Sequence, residues 1–156
     1  ALPLAQGRVM NAPQGSPGYT GMLRLIGFAF DKRYEGGIEG HLDVREDHVN
    51  RAGTVHGGVY ATMLDAVCSG AGMYCPHPGR MRVAVTLSLT VNYAGACSAG
   101  RIFAKGWVTK QGKSVYYSAG EIRDEDDNLL AHAVGTFKYV MNSGGPEGIP
   151  NPRENG

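Results

Sequence analysis

The stretch that most constrains the fold begins Asn50-Arg51-Ala52-Gly53-Thr54-Val55-His56-Gly57-Gly58 and runs on through apolar residues from Val59 to Cys75. The run has helix length. Two glycines at its start leave bare backbone N–H groups free to point outward, and Pro76 and Pro78 just beyond its end stop it. Between Arg51 and Arg80 the only formally charged residue is Asp65. An ionised carboxylate in an apolar helix costs several kcal/mol unless it is paired, hydrated or put to use. Asp65 is therefore expected at the centre of the chemistry, and the helix at the centre of the fold.

After the prolines the period changes from helix to strand. Val83, Val85, Leu87, Leu89, Val91 and Tyr93 are apolar, with Ala84, Thr86, Ser88, Thr90 and Asn92 between them, which predicts a strand of about ten residues. A small-residue loop, Ala94 to Gly100, leads to a strand over Arg101 to Thr109. Gln111-Gly112 turns into a third strand, Lys113 to Arg123, and the acidic turn Asp124 to Asn128 into a fourth, Leu129 to Val140. Ala131, Ala133, Gly135 and Phe137 share one face of that last strand, leaving room for a helix to lie close. Ahead of the helix, Leu23 to Phe30 suits a short helical turn or a strand. Glu35-Gly36-Gly37 is a turn, and Ile38 to Val44 alternates as a strand closing a hairpin. Glu46 to Thr54 reads as a loop. The expected order is two strands, one long helix and four strands in a meander: an α+β domain of about six antiparallel strands wrapped around one central helix. One helix covers one face of such a sheet and leaves strand edges open, so pairing of edges in a dimer is expected.

The 156 residues are enough for one domain without staples. The expected divisions are a flexible arm over 1–20, the folded domain over 21–140 and a Pro/Gly-rich disordered tail over 141–156. A formal charge of +1 with no basic block argues against nucleic acid as a partner. No run reads as a membrane span or signal peptide. Cys68, Cys75 and Cys97 are odd in number and lack metal-binding spacing, so they read as reduced thiols of a cytoplasmic protein, with no metal site.

Over roughly Gly21 to Val140 the chain resembles the hotdog-fold thioesterases, and within them the acyl-CoA thioesterases of the phenylacetate-pathway (PaaI-like) branch. The resemblance is carried by Asn50, the Gly-Thr-Val-His-Gly-Gly run at Gly53 to Gly58, the Leu64-Asp65 pair, the strand end Thr90-Val91-Asn92-Tyr93, and Ala133-Val134-Gly135-Thr136-Phe137. The loop Ala94 to Gly100 departs from the family, which often carries a basic residue and a proline there. The resemblance implies hydrolysis of an acyl-CoA thioester to free acid and CoA, with no cofactor beyond the CoA of the substrate, in a homodimer or homotetramer. A hotdog hydratase or dehydratase, and a non-catalytic acyl-CoA-binding protein on the same fold, are the alternatives.

For that chemistry, the backbone N–H groups of Gly57 and Gly58 at a helix N-terminus suit a developing oxyanion. Asp65 would act as general base for a water or as nucleophile. Asp65 lies seven residues beyond Gly58, roughly 10 Å along a helix rising 1.5 Å per residue. One chain therefore cannot bring both to one carbonyl, and a site shared across antiparallel helices of a dimer is expected. Asn50 is a candidate to hold the water or the sulfur side of the thioester, His56 to position Asn50 or the loop, and Thr86 to orient water beside the carboxylate. Arg80, Arg82, Lys110 and Lys113 are available to CoA phosphates, and Tyr60, Met63 and Met73 to an acyl pocket.

Overall fold

The computed structural model describes residues 21–152; the expected N-terminal arm, and residues 153–156, lie outside them. The elements follow in the order α1 (Met22–Ile26), β1 (Ala29–Tyr34), β2 (Gly37–Asp43), a 3-10 turn (Glu46–His48), α2 (Gly57–Gly72), β3 (Arg80–Met81), β4 (Ala84–Tyr93), β5 (Arg101–Gln111), β6 (Val115–Arg123), β7 (Leu129–Tyr139) and β8 (Ile149–Pro150). The segment before Glu35 is both of the things its composition suggested, a helical turn and then a strand.

Six strands form one antiparallel sheet in the order β1-β2-β5-β6-β7-β4, and α2 packs across one face of it. The expected four-strand meander is corrected: β5, β6 and β7 meander, but β4 crosses over to pair with β7 at the sheet edge. Residues of β4 and β7 match over nearly their whole lengths, from Ala84↔Tyr139 to Tyr93↔Ala131. A loop of seven small residues after β4 is long enough to carry the chain across to the far side of that pair.

Helix α2 supplies the centre of the core. Tyr60, Met63, Leu64, Val67, Cys68 and Ala71 are buried against Ile38, Ile102, Tyr116, Ile122 and Phe137. Truncating a core leucine of this kind to alanine costs about 2–5 kcal/mol. The helix comes closest to the sheet over glycines of β5 and β6. A Cβ at Gly106 would sit 2.2 Å from the Val67 carbonyl oxygen, and one at Gly120 would sit 2.7 Å from Cys68 Sγ. Ala131 and Ala133 are buried in the same core, but Gly135 faces the Phe137 ring and Leu89 rather than the helix. The helix ends at Gly72, before the prolines, because two tyrosines satisfy its last turn: Tyr116 donates to the Ser69 carbonyl and Tyr139 to the Gly72 carbonyl.

The expectation of disorder from Met141 is also corrected, over residues 141–152. The chain there turns and forms β8, which pairs with β3. Arg80 donates to the carbonyls of Glu147 and Gly148, and Arg82 to those of Tyr74, Gly145 and Pro146. Those guanidinium contacts supply what a Pro/Gly-rich composition lacks, a set of partners for its backbone. Among the described residues no helix is long and apolar enough to cross a membrane.

Candidate active site

Asp65 sits midway along α2 on its half-buried side, where Gly58, Thr62, Asp65 and Ser69 follow one another at helical spacing. Thr86 of β4 faces it, and the hydroxyl donates to Asp65 Oδ1 at 2.7 Å. That contact depends on a β-bulge. Thr86 pairs with Phe137 and Ser88 with Thr136, so Leu87 is an extra residue in β4. Beyond the bulge Leu89 and Val91 pack on the core and Tyr93 reaches α2; before it Ala84 and Thr86 take the inward positions. Along the strand the inward parity thus switches from even to odd, and Val85 and Leu87 are left 46% and 56% exposed. Bulges re-aim side chains in this way next to functional sites.

At the start of α2 the two expected donors part company. The Gly58 N–H donates to His56 Nδ1 at 2.8 Å, so His56 is the N-cap of the helix. The Gly57 N–H meets no acceptor among the described residues and remains open, at the positive end of the helix dipole. Gly58 is therefore corrected from a substrate-facing donor to a capped one. The Gly57 carbonyl is also held, accepting from the Tyr93 hydroxyl at 3.0 Å. A side chain at either position would sit close against a neighbouring ring. A Cβ at 57 would lie 3.1 Å from the Tyr93 ring, and one at 58 would lie 3.0 Å from the His56 ring.

Asn50 closes its own loop. Its Oδ1 accepts from the backbone of Ala52 and Thr54 and from the Thr54 hydroxyl, which leaves the Nδ2 group as its outward donor. His56 makes no hydrogen bond to Asn50; its backbone N–H donates to His48 O. Of the six candidate residues, the chain brings Asp65 to Thr86 and His56 to Gly57 and Gly58, as two clusters on one helix. Eight residues, about 12 Å of rise, separate Gly57 from Asp65.

Arg80 and Arg82 hold the C-terminal strap, whereas Lys110 and Lys113 are exposed on and beside the β5–β6 turn. Tyr60 and Met63 are core residues and Met73 caps the end of α2. Burial pushes the Tyr60 hydroxyl up to about 12. Burial, and then the Asp65 charge, push the Cys68 thiol up to about 12. Among the described residues no three His, Cys, Asp or Glu side chains gather to hold a metal ion. Sequence reasoning missed the Tyr93 contact with Gly57 and the bulge at Leu87. The strand end that carries Tyr93 was visible, but the unbroken odd-numbered apolar pattern concealed the bulge.

A family model described as Thioesterase superfamily matches residues 52–131. Acyl-coenzyme A thioesterase 13 of Mus musculus is 31% identical over 102 residues, which is 65% of this chain and 71% of that protein. The Homo sapiens protein of the same name is 30% identical over the same shares. Among solved structures, zebra fish thioesterase superfamily member 2 matches with a TM-score of 0.66 and 27% identity, over 81% of this chain and 88% of that one. A conserved protein of Pseudomonas aeruginosa matches with a TM-score of 0.72 and 26% identity, over 78% and 94%.

Proposed function

The chain belongs to the thioesterase superfamily, a thioester hydrolase of hotdog fold, and from that premise we propose that it hydrolyses acyl-CoA thioesters at a site shared between two copies of itself. The observation that carries this reading is the separation of two half-sites on one helix: the open Gly57 N–H at its start and the Asp65–Thr86 pair two turns on. Two α2 helices packed antiparallel along the Gly58, Thr62, Asp65 and Ser69 side would set Gly57 of one subunit opposite Asp65 of the other. The small side chains on that side permit close approach, and β4 offers an unpaired edge with Val85 and Leu87 exposed beside it.

In the proposed reaction the thioester oxygen lies against the Gly57 N–H, which stabilises the oxyanion as it forms. Asp65 takes a proton from the attacking water. Thr86, donating to Asp65, keeps its oxygen lone pairs free to accept from that same water and orient it. The tetrahedral intermediate expels the CoA thiolate, and Asp65 returns the proton to it. Asn50 Nδ2 is the second donor proposed to reach the substrate. In this reading water is the co-reactant, and the protein's own groups position and activate it.

The test is release of free thiol from a panel of aromatic and straight-chain acyl-CoAs, followed with a thiol-reactive dye. Wild type should turn over, and Asp65→Asn should lose about a hundred- to ten-thousand-fold in kcat. Unchanged turnover in Asp65→Asn would remove the carboxylate from the mechanism. A single turnover in heavy-oxygen water tests the role of Asp65: label in the Asp65 carboxylate would mark direct attack through a mixed anhydride.

A further inference from the structure

A cavity of about 360 Å³ opens between the end of α2 and the C-terminal strap. Its lining includes Glu35 and Gly36 of the β1–β2 turn, Ala71, Arg82, Gln111 and, from the strap, Pro146. That volume is at the small end of ligand sites, which run from about 300 to 1,000 Å³. Opposite charges around one small space attract each other, yet Arg82 and Glu35 are not joined. Arg82 is held by three backbone carbonyls, those of Tyr74, Gly145 and Pro146. A guanidinium has five N–H groups, so two remain, one on each terminal nitrogen. Glu35 makes no ion pair or hydrogen bond among the described residues.

Two further acceptors belong to the same lining. Gln111 Nε2 donates to the Gly112 carbonyl and to the Tyr139 hydroxyl, whose own proton goes to the Gly72 carbonyl. Both partners of Nε2 are acceptors, which fixes the amide orientation and leaves Oε1 free. Of the last four carbonyls of α2, Ser69 accepts from Tyr116, Gly70 from the Met73 N–H and Gly72 from Tyr139. The Ala71 carbonyl accepts from no group among the described residues. It stands at the negative end of the helix dipole, where a cation is favoured.

We infer that this cavity binds a small dipolar molecule carrying both a carboxylate and an ammonium group, of the class of free amino acids. The unused groups of the lining supply the argument. A carboxylate takes the two remaining N–H groups of Arg82 as a fork. An ammonium has three N–H donors and no acceptor, and the lining holds three free acceptors: Glu35, Gln111 Oε1 and the Ala71 carbonyl. An anion alone would leave Glu35 unneutralised beside it, and a cation alone would meet the Arg82 charge. A molecule with both charges a few bonds apart joins what the chain leaves unjoined. Three carbonyls already fix the Arg82 guanidinium, so little ordering cost remains for binding. The bound molecule would tie the strap, through Arg82 and Pro146, to the β1–β2 turn. Ala71 lies six residues, about 9 Å of rise, beyond Asp65. The site uses no group of the proposed reaction and does not depend on the catalytic reading.

Titration calorimetry of the full chain with glycine, leucine, β-alanine, 4-aminobutyrate and 6-aminohexanoate tests this, with butyrate and butylamine as the singly charged controls. At least one of the five should bind saturably, and both controls should bind at least tenfold more weakly than it does. Glu35→Gln, a substitution on an exposed turn, keeps the shape and removes the charge. It should weaken binding of that ligand about 10- to 100-fold. Arg82→Lys keeps the charge and loses the fork, and should weaken it as well. If the Arg82 variant fails to fold, Glu35→Gln decides. Saturating ligand should also slow proteolysis between residues 141 and 152. No binding by any of the five would overturn the inference, as would binding of either control equally tightly. So would an affinity unchanged by Glu35→Gln, or a strap cut at the same rate with ligand bound, because the molecule would then sit elsewhere.

Discussion

The Thr86 hydroxyl donates to Asp65 Oδ1 at 2.7 Å, across the gap between an edge strand and the central helix. Thr86 occupies that position because Leu87 is an extra residue in β4. A hydrogen bond to a charged group contributes about 1.5–3 kcal/mol. Thr86→Ala should therefore lower kcat roughly 10- to 100-fold, with KM nearly unchanged, and Thr86→Ser should restore most of it. Steady-state kinetics of the three proteins checks this, and equal loss in the Ser and Ala variants would assign Thr86 to packing alone.

Division of the site between two chains has a direct test. Gly57→Pro removes the open N–H at a helix position that tolerates proline, and Asp65→Ala removes the carboxylate; each chain alone should be inactive. Co-expressed at equal levels, half of the dimers are mixed and each mixed dimer has one intact site. About a quarter of wild-type activity should return. A mixture as dead as its parents would place both groups in one chain.

Tyr93 holds the Gly57 carbonyl, and with it the angle at which the first turn of α2 presents its open amide. Removing one neutral hydrogen bond costs about 1 kcal/mol. Tyr93→Phe keeps the ring over Gly57 and should lower kcat about fivefold while leaving KM and the melting temperature close to wild type. A shift in melting temperature without a change in kcat would make the contact structural.

His48 is buried between Ile26 and the loop leading to α2. Its Nε2 donates to the Ile26 carbonyl and its Nδ1 accepts from the Arg45 N–H. Burial holds it below the ordinary histidine value of 6.5. In the folded chain it therefore binds its proton later than in the unfolded chain. The stability it contributes is complete above pH 6.5 and is lost as pH falls below that value toward the lowered one. Melting temperature should drop across that window, and the drop should shrink in His48→Gln, as thermal melts at stepped pH would reveal.

Arg82 spends its guanidinium on three backbone carbonyls of the C-terminal strap and the α2–β3 connection. Arg82→Ala leaves those carbonyls without their charged donor and should cost about 2 kcal/mol. Limited proteolysis should then cut between residues 141 and 152 well before the sheet. Cutting at the wild-type rate would show that the β3–β8 pairing holds the strap by itself.

Local chemistry was enough to find the helix, its isolated carboxylate, the glycines at its start and the strands around it. A run of apolar residues with one Asp65, glycines before it and prolines after it, is legible because propensity and periodicity act over a few residues. Partners distant in sequence are not legible in that way. That β4 closes on β7 and not β5, that a bulge turns Thr86 inward, that His56 takes the Gly58 amide and leaves Gly57 open, and that Arg80 and Arg82 grip the tail all depend on which backbone groups remain unpaired once the sheet has formed. The sequence by itself determined which groups could do the chemistry; only the tertiary structure, through pairing between segments far apart along the chain, decided which of them are free to do it.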